Sequence, residues 1–470
     1  MIDLSRYRGQ SIAVMGLGKS GLATARALKR GGAQVIAWDD EAARRESAMQ
    51  EGIRIGNLAK EPWDGIAFLV LSPGIPHSFP SPHPVATRAR ENGCPIVGDI
   101  ELLARASSRA RFIGITGTNG KSTTTSLIGH ILKEAGRPVA VGGNLGMPAL
   151  GFEPMDEDGF YVIEMSSYQL ELTSPIPFDV AILLNITPDH LDRHGGMPGY
   201  IAAKKRIFDD QRTGQSAVVG MDDDTCRSIF DMLCAARRQR VLPISGDRRV
   251  PGGVYAVDRF LYDDTEGKNA PIIRLDEIRT LPGTHNAQNA SAAYAAARMA
   301  GLRPSEIRDA MRSFPGLAHR QELAAEIDGV LYVNDSKATN AEAAARALSS
   351  YENIYWIAGG LAKDGGLAAA KPLLGRVRHA FLIGQAAEQF RGELAGLVDT
   401  TISETLESAL RSAHEKAQRD RRPGAVVLLS PACASFDQFA NFEERGRAFC
   451  RLVSTLPGNA RRVCSDGEAA

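Results

Sequence analysis

Long apolar runs are absent from this 470-residue chain. The longest, Ile66 to Leu71 and Val426 to Leu429, fall far short of the roughly 20 residues that cross a bilayer, which excludes a transmembrane helix. An excess of either charge is absent too. Lys plus Arg and Asp plus Glu both number 55, so no positive field is available to hold a nucleic-acid backbone or an anionic lipid surface. Cysteine is scarce: Cys94, Cys226, Cys234, Cys433, Cys450 and Cys464 lie far apart, without a CxxC pair or metal-like spacing, so neither disulfides nor zinc is expected. No apolar stretch with a small-residue cleavage site follows Arg6 and Arg8, so a secretory signal is not expected and the chain reads as cytoplasmic.

What is present is the balance of an ordinary globular protein, 44% hydrophobic and 23% charged, in a chain too long for one core. Typical domain size predicts about three units of roughly 150 residues. Apolar β-branched runs alternate with Ala-rich amphipathic runs, the signature of βα units on a mostly parallel sheet, so the class is α/β. Strands are expected at Ser11 to Met15, Gln34 to Trp38, Ala67 to Leu71, Arg111 to Ile115, Pro138 to Val141, Phe160 to Ile163 and Val180 to Leu184. A third series comprises Leu331 to Val333, Ile354 to Ile357, Ala380 to Ile383 and Ala425 to Leu429, with a helix at Ala341 to Ser349. Breaks near Asp99, before Ser107 and Ser108, and at Phe314-Pro315-Gly316, ending a helix capped by Ser305, predict domains 1–99, 100–316 and 317–470. From Gly458 and Asn459 onward the tail reads as frayed.

The sharpest motif is Gly114-Ile115-Thr116-Gly117-Thr118-Asn119-Gly120-Lys121-Ser122, directly after an apolar strand and before a helix expected from Thr123. Glycines let successive N–H groups face anionic oxygens, the helix start adds partial positive charge, Lys121 neutralises transferring phosphate, and Ser122 can ligate magnesium. Gly16-Leu17-Gly18-Lys19-Ser20-Gly21 follows another strand, and Asp39 ends the next, in the spacing of a dinucleotide fingerprint. The physics specifies less: such a turn suits NAD, FAD or a UDP group equally. Ser72-Pro73-Gly74-Ile75-Pro76 either closes over the same ligand or is a turn forced by Pro and Gly.

Glu164 and the segment Asn185 to His190 end strands beside the phosphate loop, where a carboxylate and an imidazole suit magnesium bridging ATP and substrate. Tyr200 to Phe208 reads as a helix whose Lys204, Lys205 and Arg206 form a solvated basic face, and nothing in composition lifts Lys204 above its neighbours. His285 and Asn286 open an Ala-rich helix ending at Gly301, with Asn286 and Asn289 as caps or nucleotide contacts. Asp335 to Asn340, Gly359 to Lys363 and Ser430 to Phe436 follow strands of the third series, and their lysines and hydroxyls suit a small acidic, zwitterionic substrate. Cys433 has no His partner in sequence, which argues against a nucleophile.

Over nearly its whole length the chain resembles the Mur ligases, ATP-dependent amide-bond enzymes of peptidoglycan synthesis. Gly117 to Ser122, His190 and His319-Arg320 resemble features of the wider superfamily. Asp335-Ser336-Lys337-Ala338-Thr339-Asn340, Ser430 to Ser435 with Asn441-Phe442, and Glu164 with Ser166-Ser167-Tyr168-Gln169 resemble the branch that adds D-glutamate to UDP-N-acetylmuramoyl-L-alanine.

The resemblance implies three domains: an N-terminal Rossmann-like UDP-binding domain, a central P-loop ATPase domain with a mostly parallel sheet, and a C-terminal Rossmann-like domain. It implies that Gly16, Leu17, Gly18, Lys19, Ser20, Asp39, Asp40, Ser72, Pro73, Gly74, Asn144, Ser166 and Gln169 meet the UDP substrate. Gly117, Thr118, Asn119, Gly120, Lys121, Ser122, Thr123, Asn286, Arg320 and Asp335 would hold ATP, with Ser122, Glu164, His190 and Lys204 on magnesium. Lys121, His190, Lys204 and Lys337 would be catalytic, and Thr339, Lys363, Ser435 and Phe442 would meet D-glutamate. Leu361 and Ala362 stand before Lys363 where the branch has Asp and Gly. In the family the lysine matching Lys204 is carbamylated, which turns a cation into a metal-binding anion. A monomer is implied. A sister ligase, an oxidoreductase using the first glycine turn, and a silent binding protein are the rival readings; the last two leave Lys121, Glu164, His190, Arg320 and Asp335 without a common task.

Overall fold

The computed structural model describes residues 1–462 apart from Ser108, Pro175, Arg279, Pro282, Thr284, His285 and 363–365. The chain is α/β and built on three sheets, as expected from its alternating pattern. It forms two compact units: residues 1–277 with 284–313, and residues 278–283 with 314–470.

The first sheet runs Arg54–Ile55, Gln34–Trp38, Ser11–Met15, Ile66–Leu71, Ile96–Val97, all parallel. Successive strands extend outward from Ser11–Met15 on one side and from Ile66–Leu71 on the other, so a crevice opens where those two strands end. Ile12, Val14, Leu69 and Leu71 are buried because helices cover such a sheet on both faces.

The central sheet runs Ala270–Arg274, Phe260–Asp263, Val254–Val257, Arg240–Ser245, Ser216–Gly220, Val180–Leu183, Arg111–Thr116, Phe160–Glu164, Val139–Gly143. It is parallel except at its antiparallel Val254–Arg274 edge, whose strands, with Ser216–Gly220 and Arg240–Ser245, the apolar pattern did not single out. Its core packs Phe152, Tyr161, Ile163, Leu183 and Val219 in one cluster with residues of the first sheet, such as Ile12 and Val14.

The second unit holds Thr400–Glu404, Val377–Ile383, Ile354–Gly359, Val426–Leu429, Val330–Asn334, Glu322–Ile327, Ala460–Arg462, the last two joining antiparallel. Apolar clusters lie on both faces, around Trp356 and Leu428 on one and Tyr332 and Phe449 on the other.

Several expectations need correction. The helix Pro304–Arg312 has Arg303 as N-cap, not Ser305: the fixed φ of Pro304 suits the first helical position and draws the start two residues earlier. The phosphate-loop helix begins at Lys121. The basic helix is α-helical over Met197–Lys205 and tightens to a 3₁₀ turn at Arg206–Phe208. Gly458 and Asn459 are not frayed. Asn459 exchanges hydrogen bonds with Asp328, at 3.2 and 3.3 Å, and leads into an edge strand whose partner supplies otherwise missing ladder bonds. No helix among the described residues is long and apolar enough to cross a membrane.

Candidate active site

The first glycine turn sits in the crevice of the first sheet. A Cβ on Gly21 would lie 1.8 Å from the Gly16 carbonyl oxygen, so helix and turn touch as only glycine permits. The Ser72 hydroxyl donates to that same carbonyl at 3.2 Å, joining the two strand ends. Asp39 is buried. Its carboxylate accepts from the Leu17 N–H at 2.6 Å and the Glu41 N–H at 2.9 Å, so it shapes the turn from within. Asp40 lies outside and meets His83 at 3.1 Å. Gly18 precedes the helix Lys19–Arg30, whose Lys19 is exposed.

In the central sheet Arg111–Thr116 lies between Val180–Leu183 and Phe160–Glu164, which brings Glu164 and Asn185 to either side of the phosphate loop. Gly120 has φ +84, and a Cβ there would meet Asn289 Oδ1 at 2.1 Å, so the loop passes close under the helix Asn286–Met299. Asn289 donates to Asn286 Oδ1 at 2.9 Å and accepts from Thr124 at 3.3 Å. Asn185 accepts from the Asn119 N–H at 2.8 Å and donates to Gln288, which donates to Asp222 at 2.7 Å. Ser122 and Thr123 are buried at the helix start.

Two ammonium groups converge on one loop carbonyl. Lys121 Nζ donates to the Gly117 and Thr118 oxygens at 2.9 Å, and Lys204 Nζ to the Gly117 oxygen at 2.8 Å. Lys204 is 1% exposed, and its ammonium lies 4.7 Å from the Tyr200 ring centroid. Burial, reinforced by the charge of Lys121, lowers its pKa from the ordinary 10.5 to about 7, against the opposing pull of Asp189 and Glu164.

Glu164 is buried; one oxygen accepts from Asn144 at 2.7 Å and the other, Oε2, has no hydrogen-bond partner. A buried carboxylate oxygen left unpaired is costly, and a divalent cation would satisfy it, so the donor chemistry fits magnesium. Among the described residues no three His, Cys, Asp or Glu side chains form a cage of their own. His190 (φ +50) is half exposed, 3.5 Å from Asp189, with its ring 5.1 Å from that of Tyr168. Ser166 and Gln169 cap the helix Ser167–Leu172 reciprocally: Gln169 N–H donates to Ser166 Oγ at 3.2 Å and Ser166 N–H to Gln169 Oε1 at 3.0 Å.

In the second unit the loops 335–340, 359–362 and 430–436 gather because Val426–Leu429 lies between Val330–Asn334 and Ile354–Gly359. Asp335 is buried, accepts from the Gln321 N–H at 3.1 Å and Ser430 Oγ at 2.8 Å, and is pushed by burial to a pKa of about 7 while the nearby Arg320 opposes the rise. Lys337 lies 5.6 Å from the Phe442 ring centroid, Thr339 is half-buried, and Ser435 is buried. Leu361 and Ala434 exchange backbone hydrogen bonds at 2.9 and 3.0 Å, fixing the glycine loop before Lys363, which itself lies outside the described residues. Cys433 is buried and its thiol is pushed up to about 12 by desolvation, which removes the thiolate a nucleophile needs.

Residues 115–297 match the model of the Mur ligase middle domain, and residues 10–98 that of the MurD-like N-terminal domain of Mur ligases. The UDP-N-acetylmuramoylalanine–D-glutamate ligase of Rhodospirillum rubrum is 54% identical over 461 residues, 97% of each chain. Its namesake from Caulobacter vibrioides is 50% identical over 462 residues, 97% of this chain and 98% of its own. The chain belongs to the Mur ligase family. Its fold is shared with the solved UDP-N-acetylmuramate-alanine ligase of Thermotoga maritima, TM-score 0.57 at 16% identity over 95% of this chain and 99% of the other. The solved UDP-N-acetylmuramoyl-L-alanyl-D-glutamate–2,6-diaminopimelate ligase gives 0.56 at 17%, over 97% and 95%.

The structure of this Mur ligase also contains residues that the sequence did not announce. Arg445, 1% exposed, donates to Ser336 Oγ and O at 3.0 and 2.9 Å and to the Cys433 and Ala434 oxygens at 3.1 and 3.4 Å, binding two loops of the second unit together. Burial lowers its pKa to about 10. In sequence it is one Arg among the charges of an amphipathic helix. Tyr200, whose hydroxyl meets Thr118 Oγ1 at 3.0 Å, and Asp222, which accepts from Gln288 at 2.7 Å, were equally silent.

Proposed function

We propose that this Mur ligase joins the amine of D-glutamate to the alanyl carboxylate of UDP-N-acetylmuramoyl-L-alanine, with ATP consumed to ADP and phosphate, in peptidoglycan precursor synthesis. The observation that carries the reading is the meeting of Lys121 and the buried Lys204 on the Gly117 carbonyl, beside the unpaired oxygen of Glu164. A carboxylate is a poor electrophile, and phosphoryl transfer from ATP turns it into an acyl phosphate with a good leaving group. Lys121 and the loop N–H groups from Gly117 to Thr123 disperse the phosphate charge, and Ser122, Glu164 and His190 hold magnesium.

Lys204 with a pKa near 7 supplies the neutral amine that carbamylation requires, and the resulting anion would replace a cation that repels magnesium. Gly16 to Ser20, Asp39, Asp40, Ser72 to Gly74, Asn144, Ser166 and Gln169 receive the UDP substrate, with no redox role for the glycine turn. Asp39, Ser166 and Gln169 act through the turn and the helix cap that they hold. Asn286, Arg320 and Asp335 position the nucleotide. Lys337, Thr339, Ser435 and Phe442, together with Lys363, receive D-glutamate. We assign the reaction to the cytoplasm, where ATP is available, and the active species to the monomer.

The test is ADP release by the purified protein with MgATP and UDP-N-acetylmuramoyl-L-alanine, adding D-glutamate, L-glutamate or L-alanine in parallel, with the unalanylated UDP sugar as control acceptor. Release that requires both D-glutamate and the alanylated acceptor supports the assignment, and release with another pairing moves the chain to a sister reaction.

A further inference from the structure

One anionic side chain in the first unit gathers charges that the reaction scheme leaves unused. Glu171, at the end of the helix Ser167–Leu172, is 16% exposed. Its Oε1 meets His194 Nδ1 at 2.7 Å, and its Oε2 meets His77 Nε2 at 3.1 Å and the Arg193 guanidinium at 3.4 Å. His77 follows directly on the Ser72–Pro76 segment and is held from behind by Arg90 at 3.0 Å. Arg193 donates its other amino group to the Ile75 carbonyl at 3.4 Å and lies 5.0 Å from the Tyr168 ring centroid.

On the central-sheet side, the other ring nitrogen of His194 meets Ser167 Oγ at 2.9 Å. The His194 ring lies 5.4 Å from both Tyr168 and Tyr200, and Tyr200 bonds Thr118 of the phosphate loop. A continuous path of contacts therefore runs from the 72–77 loop of the first sheet to the phosphate loop; its His77 branch passes through the Glu171 carboxylate, while a second runs from the Ile75 carbonyl through Arg193, itself paired with Glu171, to the Tyr168 ring. Arg193 is 8% exposed at its side chain, so removing Glu171 would leave a buried guanidinium without its countercharge.

We infer that Glu171 is a positioning residue, whose carboxylate latches the acceptor-side loop 72–77 onto the central sheet's domain so that acceptor and phosphate loop keep one register. This rests on the reading above that the 72–76 segment holds the UDP-linked acceptor. The requirement is geometric: in-line phosphoryl transfer between a carboxylate held by one sheet and a phosphate held by another tolerates little displacement. A glutamate on a helix anchored by the Ser166–Gln169 cap is a stiff post for such a latch.

The test uses full-length Glu171→Gln, which keeps shape and removes the charge, and His77→Phe, which cuts the latch from the loop side and leaves the central sheet's own partners intact. In both variants we expect the KM for the UDP-linked acceptor to rise about tenfold while the KM values for ATP and D-glutamate stay within about twofold, since only acceptor placement is lost. Hydrogen exchange on the ligand-free proteins gives a readout independent of turnover. Amides of residues 72–77 should exchange faster than in the wild type, with the helix Lys121–Glu134 unchanged. Unaltered exchange in the loop of both variants overturns the inference, as does a common rise of all three KM values. If Glu171→Gln does not fold, His77→Phe decides alone. If the wild type shows no D-glutamate-dependent ADP release, it is the functional reading that fails, and loop exchange still decides the latch.

Discussion

Replacing Lys204 with Met should make this protein more stable near neutral pH while destroying its activity. Burial lowers the pKa of Lys204 from the ordinary 10.5 to about 7. That difference of about 3.5 pH units corresponds to about 5 kcal/mol against the charged form, at about 1.4 kcal/mol per unit. Met matches the side chain in length and bears no charge, but gives up the hydrogen bond to the Gly117 carbonyl, worth about 1.5 to 3 kcal/mol for a charged donor. The net gain is therefore about 2 to 3.5 kcal/mol below pH 7.

The sign fixes the pH dependence. The folded pKa lies below the unfolded one, so between about pH 7 and 10.5 the unfolded chain binds a proton that the native state does not, and wild-type stability rises through that window. The advantage of the variant must shrink over the same window, reach zero near about pH 9 and reverse above it. The assay is thermal unfolding of both proteins in CO₂-free buffer at about pH 6.5, 8 and 9.5, following the first transition because a two-unit chain need not unfold in one step. A Lys204→Met protein less stable than the wild type at the lowest pH, or one whose difference stays constant across the series, refutes the reasoning.

Lys121→Ala should lower turnover by at least about a hundredfold, the usual cost of removing a charge-stabilising group, with binding of the UDP substrate unchanged by calorimetry. Gly21→Ala drives a methyl to within 1.8 Å of the Gly16 carbonyl oxygen and should cost about 2 kcal/mol or more in unfolding, with weakened UDP binding by the same titration. Asp335 has its folded pKa raised by burial from 3.8 to about 7, so the stability it contributes is present at acid pH and lost as pH rises through 7. Asp335→Asn should accordingly raise the melting temperature relative to wild type at about pH 8 and not at about pH 4, by scanning calorimetry; the opposite order would refute the assigned shift.

The elements that could be read from the chain are those whose cause is local. The phosphate loop needs glycine at a left-handed position beside a helix start, and Gly120 at φ +84 meets that need through its own backbone, so spacing alone gave it away. Ser11–Met15 is a buried parallel strand, and a continuous apolar run is its direct imprint. The strand Thr400–Glu404 has one buried residue, Ser403, and offered no such run; it is held by its neighbour Val377–Ile383. The Ala460–Arg462 strand is likewise defined by the partner it meets across the sheet.

The same division runs through the site. Sequence singled out Asp39 by its place after a strand, and Ser166 and Gln169 by the family resemblance, but only the structure shows their polar atoms taken up by Leu17, Glu41 and each other. Lys204, Lys205 and Arg206 are equivalent as a string of bases. Folding buries the first, places it beside Lys121 and lowers its pKa to about 7, because desolvation and Coulomb interaction depend on distances between residues remote in the chain. Arg445 and Glu171 follow the same rule: their partners lie up to 109 positions away, so no local pattern marks them. By itself the sequence determined the fold class, the phosphate loop and the family, which rest on backbone needs and nearest-neighbour pattern; tertiary structure alone decided which charges are buried and what they meet, because burial belongs to the assembled chain.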